Sequence, residues 1–289
     1  MSEKTKALRR LLEGEELVVA ASTHTVLAAR INERAGFKVL YSGGYALGAL
    51  HYGIPDYGVL EQHEMITQTA RIANSVQIPL IVDADEIGGN AASIYRWIPE
   101  YIDHGIAGLH MEDEQEPKHS TYRGELLSIE DMQARIAVAV EARTDPDFVL
   151  IARCNELINR EAFGEGSLDE AIRRGQAYAE AGADSYVVPS IAPDEVAHLA
   201  RSVPIPVTAF GLRVDGVRLT LTGFGSLDGS YEHWARTLKE TGALPPEAFE
   251  CADGLYDLLD EPRFDGIIRD WAARTGRPTG PSLHDAQAQ

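Results

Sequence analysis

The chain has 289 residues, of which 44% are hydrophobic and 25% charged, a balance typical of a globular protein with a sizeable core. Its formal net charge of −19 argues against nucleic acid and anionic membranes as partners, because no basic surface is available to bind their phosphates. No apolar run approaches the ~18 residues of a membrane span, and the N-terminus lacks the apolar core of a signal peptide. Two cysteines cannot form a disulfide framework, so a reducing, cytoplasmic location is expected.

Short apolar segments alternate with longer amphipathic segments along most of the chain. The apolar segments predict eight β-strands, at 17–22, 37–44, 79–85, 106–114, 148–157, 183–190, 203–211 and 217–225. The amphipathic segments predict helices at 25–37, 62–76, 91–105, 128–145, 167–182, 193–203 and 230–242. Pro99 predicts a kink or a break in the third of these helices.

This order of elements favours an α/β fold, a (β/α)₈ TIM-type barrel with extra C-terminal helices. A doubly wound open sheet is the competing architecture, but no glycine-rich phosphate loop follows the first strand to support it. The chain contains no linker-like or repeated segment. Residues 1–275 are therefore predicted to form one domain, the barrel with its C-terminal helices, and residues 276–289 a loose tail.

Charged residues follow three neighbouring strands of the predicted barrel. The third predicted strand carries Asp83 and Asp85 towards its carboxyl end, the fourth carries Glu112 and the fifth carries Arg153. Further polar residues at the same strand ends are Asp113, Asn155 and Glu156. Side chains at the carboxyl ends of barrel strands face the active-site mouth, where these would suit Mg²⁺ and a carboxylate-bearing substrate. The simpler alternatives are solvated loop acids and an Arg153 that merely neutralises one of them.

The motifs around these residues resemble those of the isocitrate lyase/phosphoenolpyruvate mutase superfamily. They are AARINERAGFKVLYSGG (28–44), GIPDYG (53–58), PLIVDADEIGGN (79–90), GIAGLHMEDEQEPK (105–118) and DPDFVLIAR (145–153), with a weaker match at AGADSYVVPS (181–190). The resemblance implies a (β/α)₈ barrel that uses Mg²⁺, with Mn²⁺ as a substitute, on 2-oxo or 2-hydroxy acids through an enolate-type intermediate. It also implies a homo-oligomer, a dimer or a tetramer, in which subunits exchange C-terminal helices.

The resemblance further implies a role for individual residues. The implied metal ligands, direct or through water, are Asp83, Asp85 and Glu112. The implied substrate-binding residues are Ser42, Gly43, Gly44 and Arg153. The implied catalytic residues are Asp56, Arg153, Lys118, His119 and Ser120. The chemistry is coherent, because a cation chelated by an oxo acid draws electron density towards the oxygen and lowers the barrier to an enolate.

The chain departs from the superfamily pattern in the loop after the fourth strand. Lyase members carry a cysteine there as an acid or base, whereas this chain has KHSTY at 118–122. Ser120 is a poor general acid at neutral pH, so His119 or Tyr122 would have to replace the cysteine, and the histidine is the better candidate. A solvated loop histidine is the alternative interpretation of His119.

The predicted pocket also differs at the far end of the substrate. Pro189 and Phe210 stand where a glutamate and an asparagine are usual, which predicts fewer polar groups there. Glu86 is expected to add a third acid near the metal, and Cys154 is expected to pack at a strand end rather than to react.

Three functions stay open, and each has a small carboxylic acid as its partner. The first is a Mg²⁺-dependent lyase or decarboxylase that cleaves a C–C bond of a 2-oxo or 2-hydroxy (di)carboxylic acid through an enolate. The second is a P–C bond mutase or hydrolase that acts on phosphonopyruvate, since those relatives also lack the cysteine. The third is a barrel that binds a small acid without turnover.

Overall fold

The computed structural model describes residues 2–115, 118, 126–223, 233, 235–243 and 258–277. Within these ranges, eight parallel strands close into a barrel in their chain order. They are β1 (Val18–Ser22), β2 (Val39–Ser42), β3 (Leu80–Asp83), β4 (Gly108–Glu112), β5 (Val149–Arg153), β6 (Ser185–Val187), β7 (Val207–Phe210) and β8 (Val217–Leu221). The prediction of a (β/α)₈ barrel is therefore confirmed.

Helices alternate with these strands along the chain. They are α1 (Glu3–Glu13), α2 (Val26–Arg34), α3 (Gly44–Leu47), α4 (Gln62–Ala73), α5 (Ala91–Asp103), α6 (Ile129–Ala142), α7 (Glu156–Phe163), α8 (Leu168–Glu180), α9 (Pro193–Ser202) and α10 (Glu261–Thr275). A π-helical turn, Gly48–Tyr52, follows α3. Several helices begin where a side-chain oxygen accepts from a free backbone N–H of the first turn, as Thr25 does for α2 and Ser128 for α6.

The structure differs from the sequence-based expectation at a few helices. No helix was predicted at α1, α3, α7 or the π-helical turn. The fifth strand ends at Arg153 rather than at residue 157, because α7 begins at Glu156. Helix α5 continues through Pro99 and does not break there, since its buried face (Ile94, Ile98 and Tyr101) holds both halves against the core.

Alternating side chains along the strands form two apolar layers. One layer fills the barrel and includes Tyr41, Ile81, Val149 and Ile151, with Leu8 and Leu12 of α1 packed against them. The other layer packs under the helices and includes Leu40, Val82, Leu109, Leu150 and Ala152. Because side chains alternate, the residue two positions after each inward one also faces the barrel interior. Asp83 follows Ile81 in this way, Glu112 follows His110, and Arg153 follows Ile151.

The chain divides into two compact units, residues 1–224 and 225–289. The first unit contains the barrel, and the second contains α10 and helical residues 235–241. The single domain, the loose tail, the oligomer and the exchange of C-terminal helices stay predictions. Among the described helices, none combines the length and the apolar character that a membrane span requires.

Candidate metal and substrate site

Four carboxylates meet at the carboxyl ends of β3 and β4, and we call Asp56, Asp83, Asp85 and Glu112 the acid cluster. Asp83 ends β3, Asp85 lies in the turn that follows, and Glu112 ends the neighbouring strand β4. These three are almost completely buried, and the side chain of Asp56 is 15% exposed. Neighbouring parallel strands end at the same edge of the barrel, which brings residues distant in sequence together.

The ammonium group of Lys118 lies at the point where three of these carboxylates meet. Its Nζ atom is 3.2 Å from Asp56 Oδ1 and 3.1 Å from Glu112 Oε1, and it also bonds to Asp85 Oδ1. Burial alone would lower the pKa of Lys118, but the surrounding carboxylates raise it well above its usual value. Lys118 is therefore a fixed positive charge inside the acid cluster.

The guanidinium of Arg153 pairs with two members of the acid cluster from the neighbouring strand β5. Arg153 Nε is 3.0 Å from Glu112 Oε2, and Nη1 is 3.7 Å from Asp83 Oδ2. The same Nε donates to Asn155 Oδ1 at 2.9 Å. The amide of Asn155 in turn donates to Glu112 Oε2 at 3.1 Å and to Glu114 Oε2 at 2.8 Å. Arg153 thus has the neutralising contacts that the simpler interpretation expected, and it also borders the cavity described below.

Two buried residues beneath the acid cluster, His110 and Tyr41, were not singled out from the sequence. His110 Nδ1 is 3.3 Å from Asp83 Oδ1, and its Nε2 is 3.0 Å from the hydroxyl of Tyr41. Burial lowers the pKa of His110 to about 4, which makes the imidazole neutral at pH 7. Burial opposes ionisation of Asp83 too, but the charges of Lys118 and Arg153 and the hydrogen bond from the Asp85 N–H hold its pKa below the usual range. The signal was available, because His110 lies two positions before Glu112 and so shares its side of the strand.

The turn after β2 brings its backbone against the acid cluster. The N–H of Gly44 donates to Asp83 Oδ2 at 3.1 Å. A Cβ atom at Gly44 would lie 3.2 Å from Asp85 Oδ1, a tight contact, and 3.4 Å from Asp83 Oδ2, so the backbone here packs closely against both carboxylates. Gly43 lines the neighbouring cavity, and the buried hydroxyl of Ser42 is 3.3 Å from His24 Nδ1.

Three other acids named from the sequence face away from this site. Asp113 accepts hydrogen bonds from Arg174 and from Tyr178, because the alternation along β4 turns it outwards. Glu86 pairs with Arg135 at 3.0 Å, so the expectation that it adds a third acid near the metal is wrong. Glu156 belongs to α7, where it accepts from a backbone N–H.

The remaining expectations concern Cys154 and the loop that follows β4. Cys154 is completely buried in the layer under the helices, as expected for a packing residue, and burial raises the pKa of its thiol. The predicted catalytic residues His119 and Ser120, and also Tyr122, lie outside the described residues. Within that loop, the structure describes Lys118, which lies in the site.

A cavity of about 260 Å³ opens beside the acid cluster. Its lining residues are Ser22, His24, Tyr41, Gly43, Tyr45, Ala46, Asp56, Asp83, Arg153, Pro189, Phe210 and Gly223. Pro189 and Phe210, which the sequence assigned to the far end of the substrate, are both in its wall. A larger cavity of about 430 Å³ lies between α9 and the amino ends of β7 and β8, away from the acid cluster.

The acid cluster has the donor chemistry that a hard divalent cation requires. Among the described residues, no three Asp, Glu, His or Cys side chains are already arranged around one point as metal ligands. Lys118 and Arg153 contact these four carboxylates, whose oxygens lie close together at one edge of the barrel. Burial and the neighbouring carboxylates raise the pKa of Asp85 well above its usual value, although Lys118 opposes this. The residues therefore fit Mg²⁺, because they offer hard oxygen donors and a cation would offset the repulsion between these neighbouring carboxylates.

A closed barrel that gathers acids, an arginine and a cavity at the carboxyl ends of its strands has the layout of a (β/α)₈ enzyme. Residues 8–227 match the phosphoenolpyruvate phosphomutase family model. The chain belongs to this family, within the isocitrate lyase/phosphoenolpyruvate mutase superfamily.

Known relatives catalyse more than one reaction. Phosphonopyruvate hydrolase of Variovorax sp. strain Pal2 is 40% identical over 207 residues, which cover 70% of this chain and 69% of the relative. 2-Methylisocitrate lyase of Escherichia coli K12 is 30% identical over 297 residues, which cover 93% and 97%. A crystal structure of phosphonopyruvate hydrolase in complex with oxalate and Mg²⁺ superimposes with a TM-score of 0.77 at 30% identity, covering 95% of this chain and 99% of that one.

Proposed function

We propose that this protein is a Mg²⁺-dependent lyase or decarboxylase that cleaves a C–C bond of a 2-oxo or 2-hydroxy acid through an enolate of the substrate. The observation that carries the proposal is the convergence of the acid cluster on Lys118, next to Arg153 and an open cavity. Membership of a family whose relatives include 2-methylisocitrate lyase supports it.

Asp83, Asp85 and Glu112 would hold the cation, and their oxygens suit Mg²⁺ or Mn²⁺. When bound, the cation would supply a Lewis acid that polarises the oxygen on the second carbon of the substrate. Gly43 and Arg153 border the cavity, where they can receive the substrate's carboxylate. The hydrogen bond to Asn155 and the contact with Glu112 orient the guanidinium before substrate arrives, which is the preorganisation that stabilises a developing negative charge.

Lys118 and Asp56 have electrostatic roles in this scheme. The carboxylates around Lys118 raise its pKa, so it holds its proton tightly and acts as a positive charge rather than as an acid. Asp56 borders the cavity and contacts Lys118, which supports a role for its carboxylate beside the reacting carbon of a bound acid. The proton donor to the enolate carbon is proposed to be His119, with Ser120 as the weaker candidate.

Cleavage of a P–C bond in phosphonopyruvate is the second candidate function. It is favoured by the 40% identity to a phosphonopyruvate hydrolase and by the similarity to its structure with oxalate and Mg²⁺. Both reactions need the same binding of a carboxylate and an adjacent oxygen, and they differ in the group that leaves.

Turnover assays distinguish these candidates. The full chain is incubated with a panel of 2-oxo and 2-hydroxy acids and with phosphonopyruvate, in Mg²⁺ or in a chelator, and C–C products and inorganic phosphate are measured separately. We expect Mg²⁺-dependent C–C cleavage that falls at least ~100-fold in Asp83→Asn, because a carboxylate of the metal site is lost. Asp103→Asn, the same change at an exposed helix end, is the matched control.

Each other outcome has a definite meaning. Phosphate release without C–C cleavage would replace the first candidate with the second. A chain that binds Mg²⁺ and acids but turns over none of them would be a non-catalytic barrel.

A further inference from the structure

The cavity beside the acid cluster has two chemically different sides. Asp83 ends β3, and Phe210 ends β7, four strands away in the closed eight-stranded barrel. These two residues therefore face each other across the barrel mouth. One side carries the charged groups described above. The opposite side, which we call the far side, is formed by residues at or just after the carboxyl ends of β6, β7, β8 and β1, namely Pro189, Phe210, Gly223, Ser22 and His24.

This far side offers little to a second negatively charged group. Phe210 has no polar side-chain atom, and Pro189 has neither a polar side-chain atom nor a backbone N–H. His24 is buried, and each of its ring nitrogens already has a hydrogen-bond partner. Nε2 is 2.8 Å from Ser22 Oγ, and Nδ1 is 3.3 Å from Ser42 Oγ. Burial, together with His51, also lowers the pKa of His24 to about 4, so its ring carries no charge at pH 7.

The positive charge of Arg153 belongs to the charged side of the cavity. Among the described residues that line the cavity, Arg153 is the one with a permanently cationic side chain. It lies 3.0 Å from Glu112 and 3.7 Å from Asp83, and its guanidinium carbon is 5.8 Å from the ring centre of Phe210. Among the described residues of the far side, none offers a cation to a carboxylate bound there, and that carboxylate would lose its hydration.

We infer that the acid bound in this cavity carries a small, uncharged, apolar group at the end remote from its 2-oxo acid head, and that it has no second carboxylate at that end. The volume of about 260 Å³ limits that group to a few carbon atoms, since ligand pockets commonly have ~300–1,000 Å³. This inference rests on the proposed function, because that function places the 2-oxo acid head on the charged side.

A matched pair of ligands tests the inference directly. 2-Oxopentanoate and 2-oxopentanedioate share the 2-oxo acid head and the five-carbon chain, and they differ only in a methyl group or a carboxylate at the far end. Isothermal titration of the Mg²⁺-loaded full chain should show at least about tenfold tighter binding of 2-oxopentanoate, because the far carboxylate is left unpaired. Oxalate, which presents the head without a far group, is titrated in parallel.

A variant then tests which residue produces the preference. Phe210→Asn replaces the apolar ring with an amide donor, and it should reduce the ratio of the two affinities to about threefold or less. Phe163→Asn makes the same substitution at an exposed residue and should leave the ratio unchanged. Thermal unfolding of both variants confirms that they are folded.

The failures are distinguishable. Equal or tighter binding of 2-oxopentanedioate by a chain that binds oxalate, or an unchanged ratio in folded Phe210→Asn, would overturn the inference and leave the proposed function intact. A Mg²⁺-loaded chain that does not bind oxalate would overturn the proposed function, and the inference with it.

Discussion

Asn155 connects two groups of opposite charge in the candidate site. Its amide oxygen accepts from Arg153, and its amide nitrogen donates to Glu112 and to Glu114. A side chain with both a donor and an acceptor is required for this, since an ionised carboxylate can only accept. One residue thereby orients the guanidinium that would face the substrate and an acid that would serve the metal.

We therefore expect Asn155→Asp to lower kcat of the metal-dependent reaction by about 10–100-fold, because the new carboxylate would repel Glu112 and Glu114. Adding Glu114→Gln should raise kcat by about threefold or more over Asn155→Asp, because the hydrogen bond between positions 114 and 155 forms again with donor and acceptor exchanged, while the repulsion from Glu112 remains. Steady-state kinetics of both variants, with the half-exposed Asn159→Asp as control, make the comparison. A double variant no more active than Asn155→Asp would show that this hydrogen bond does not orient the site.

At the scale of elements, the positions of strands were accessible from the sequence, whereas short helices were not. Apolar runs such as Leu80–Val82 can only be buried, and parallel strands must end together, so the proximity of Asp83, Glu112 and Arg153 could be predicted. Helix α7 lacked its signal, because the side chain of Asn155 contacts the site instead of capping the helix. The burial of Lys118 also could not be predicted, since it depends on carboxylates from three distant segments.

Helix α1 is attached to the barrel by both packing and hydrogen bonds. Its Leu8 and Leu12 belong to the layer that fills the barrel. At its start, Asp145 accepts from the Ser2 N–H at 3.0 Å and from the Thr5 hydroxyl at 2.8 Å. Burial opposes ionisation of Asp145, but these hydrogen bonds hold its pKa below the usual value. The sequence contained part of this signal, because Ser2 caps a helix that has apolar residues four apart.

The lowered pKa of Asp145 makes the stability of the folded protein depend on pH in a defined direction. A carboxylate with a lowered pKa in the folded state stabilises that state fully above its unfolded value of about 3.9, and the contribution is lost as the pH falls through the folded value. Asp145→Asn should therefore lower the free energy of unfolding more at about pH 7 than at about pH 3. Urea denaturation of both proteins at the two pH values measures the difference. An equal effect at both would show that the charge of Asp145 does not hold α1.

At the scale of the whole molecule, the net charge of −19 is less informative about function than the position of the buried acid cluster. The acid cluster lies inside the barrel mouth, where burial makes it costly to keep several carboxylates ionised side by side. We propose that this cost serves a bound cation, on which the proposed chemistry and the binding of the substrate depend.

Calorimetric titration of the full chain with Mg²⁺ tests this dependence most directly. The account predicts binding of one Mg²⁺ per chain. The affinity should be weaker by ~10-fold or more in Asp85→Asn and unchanged in the exposed Asp169→Asn. A folded chain that binds no Mg²⁺, or an Asp85→Asn variant that binds it as tightly as the unaltered chain, would contradict the account.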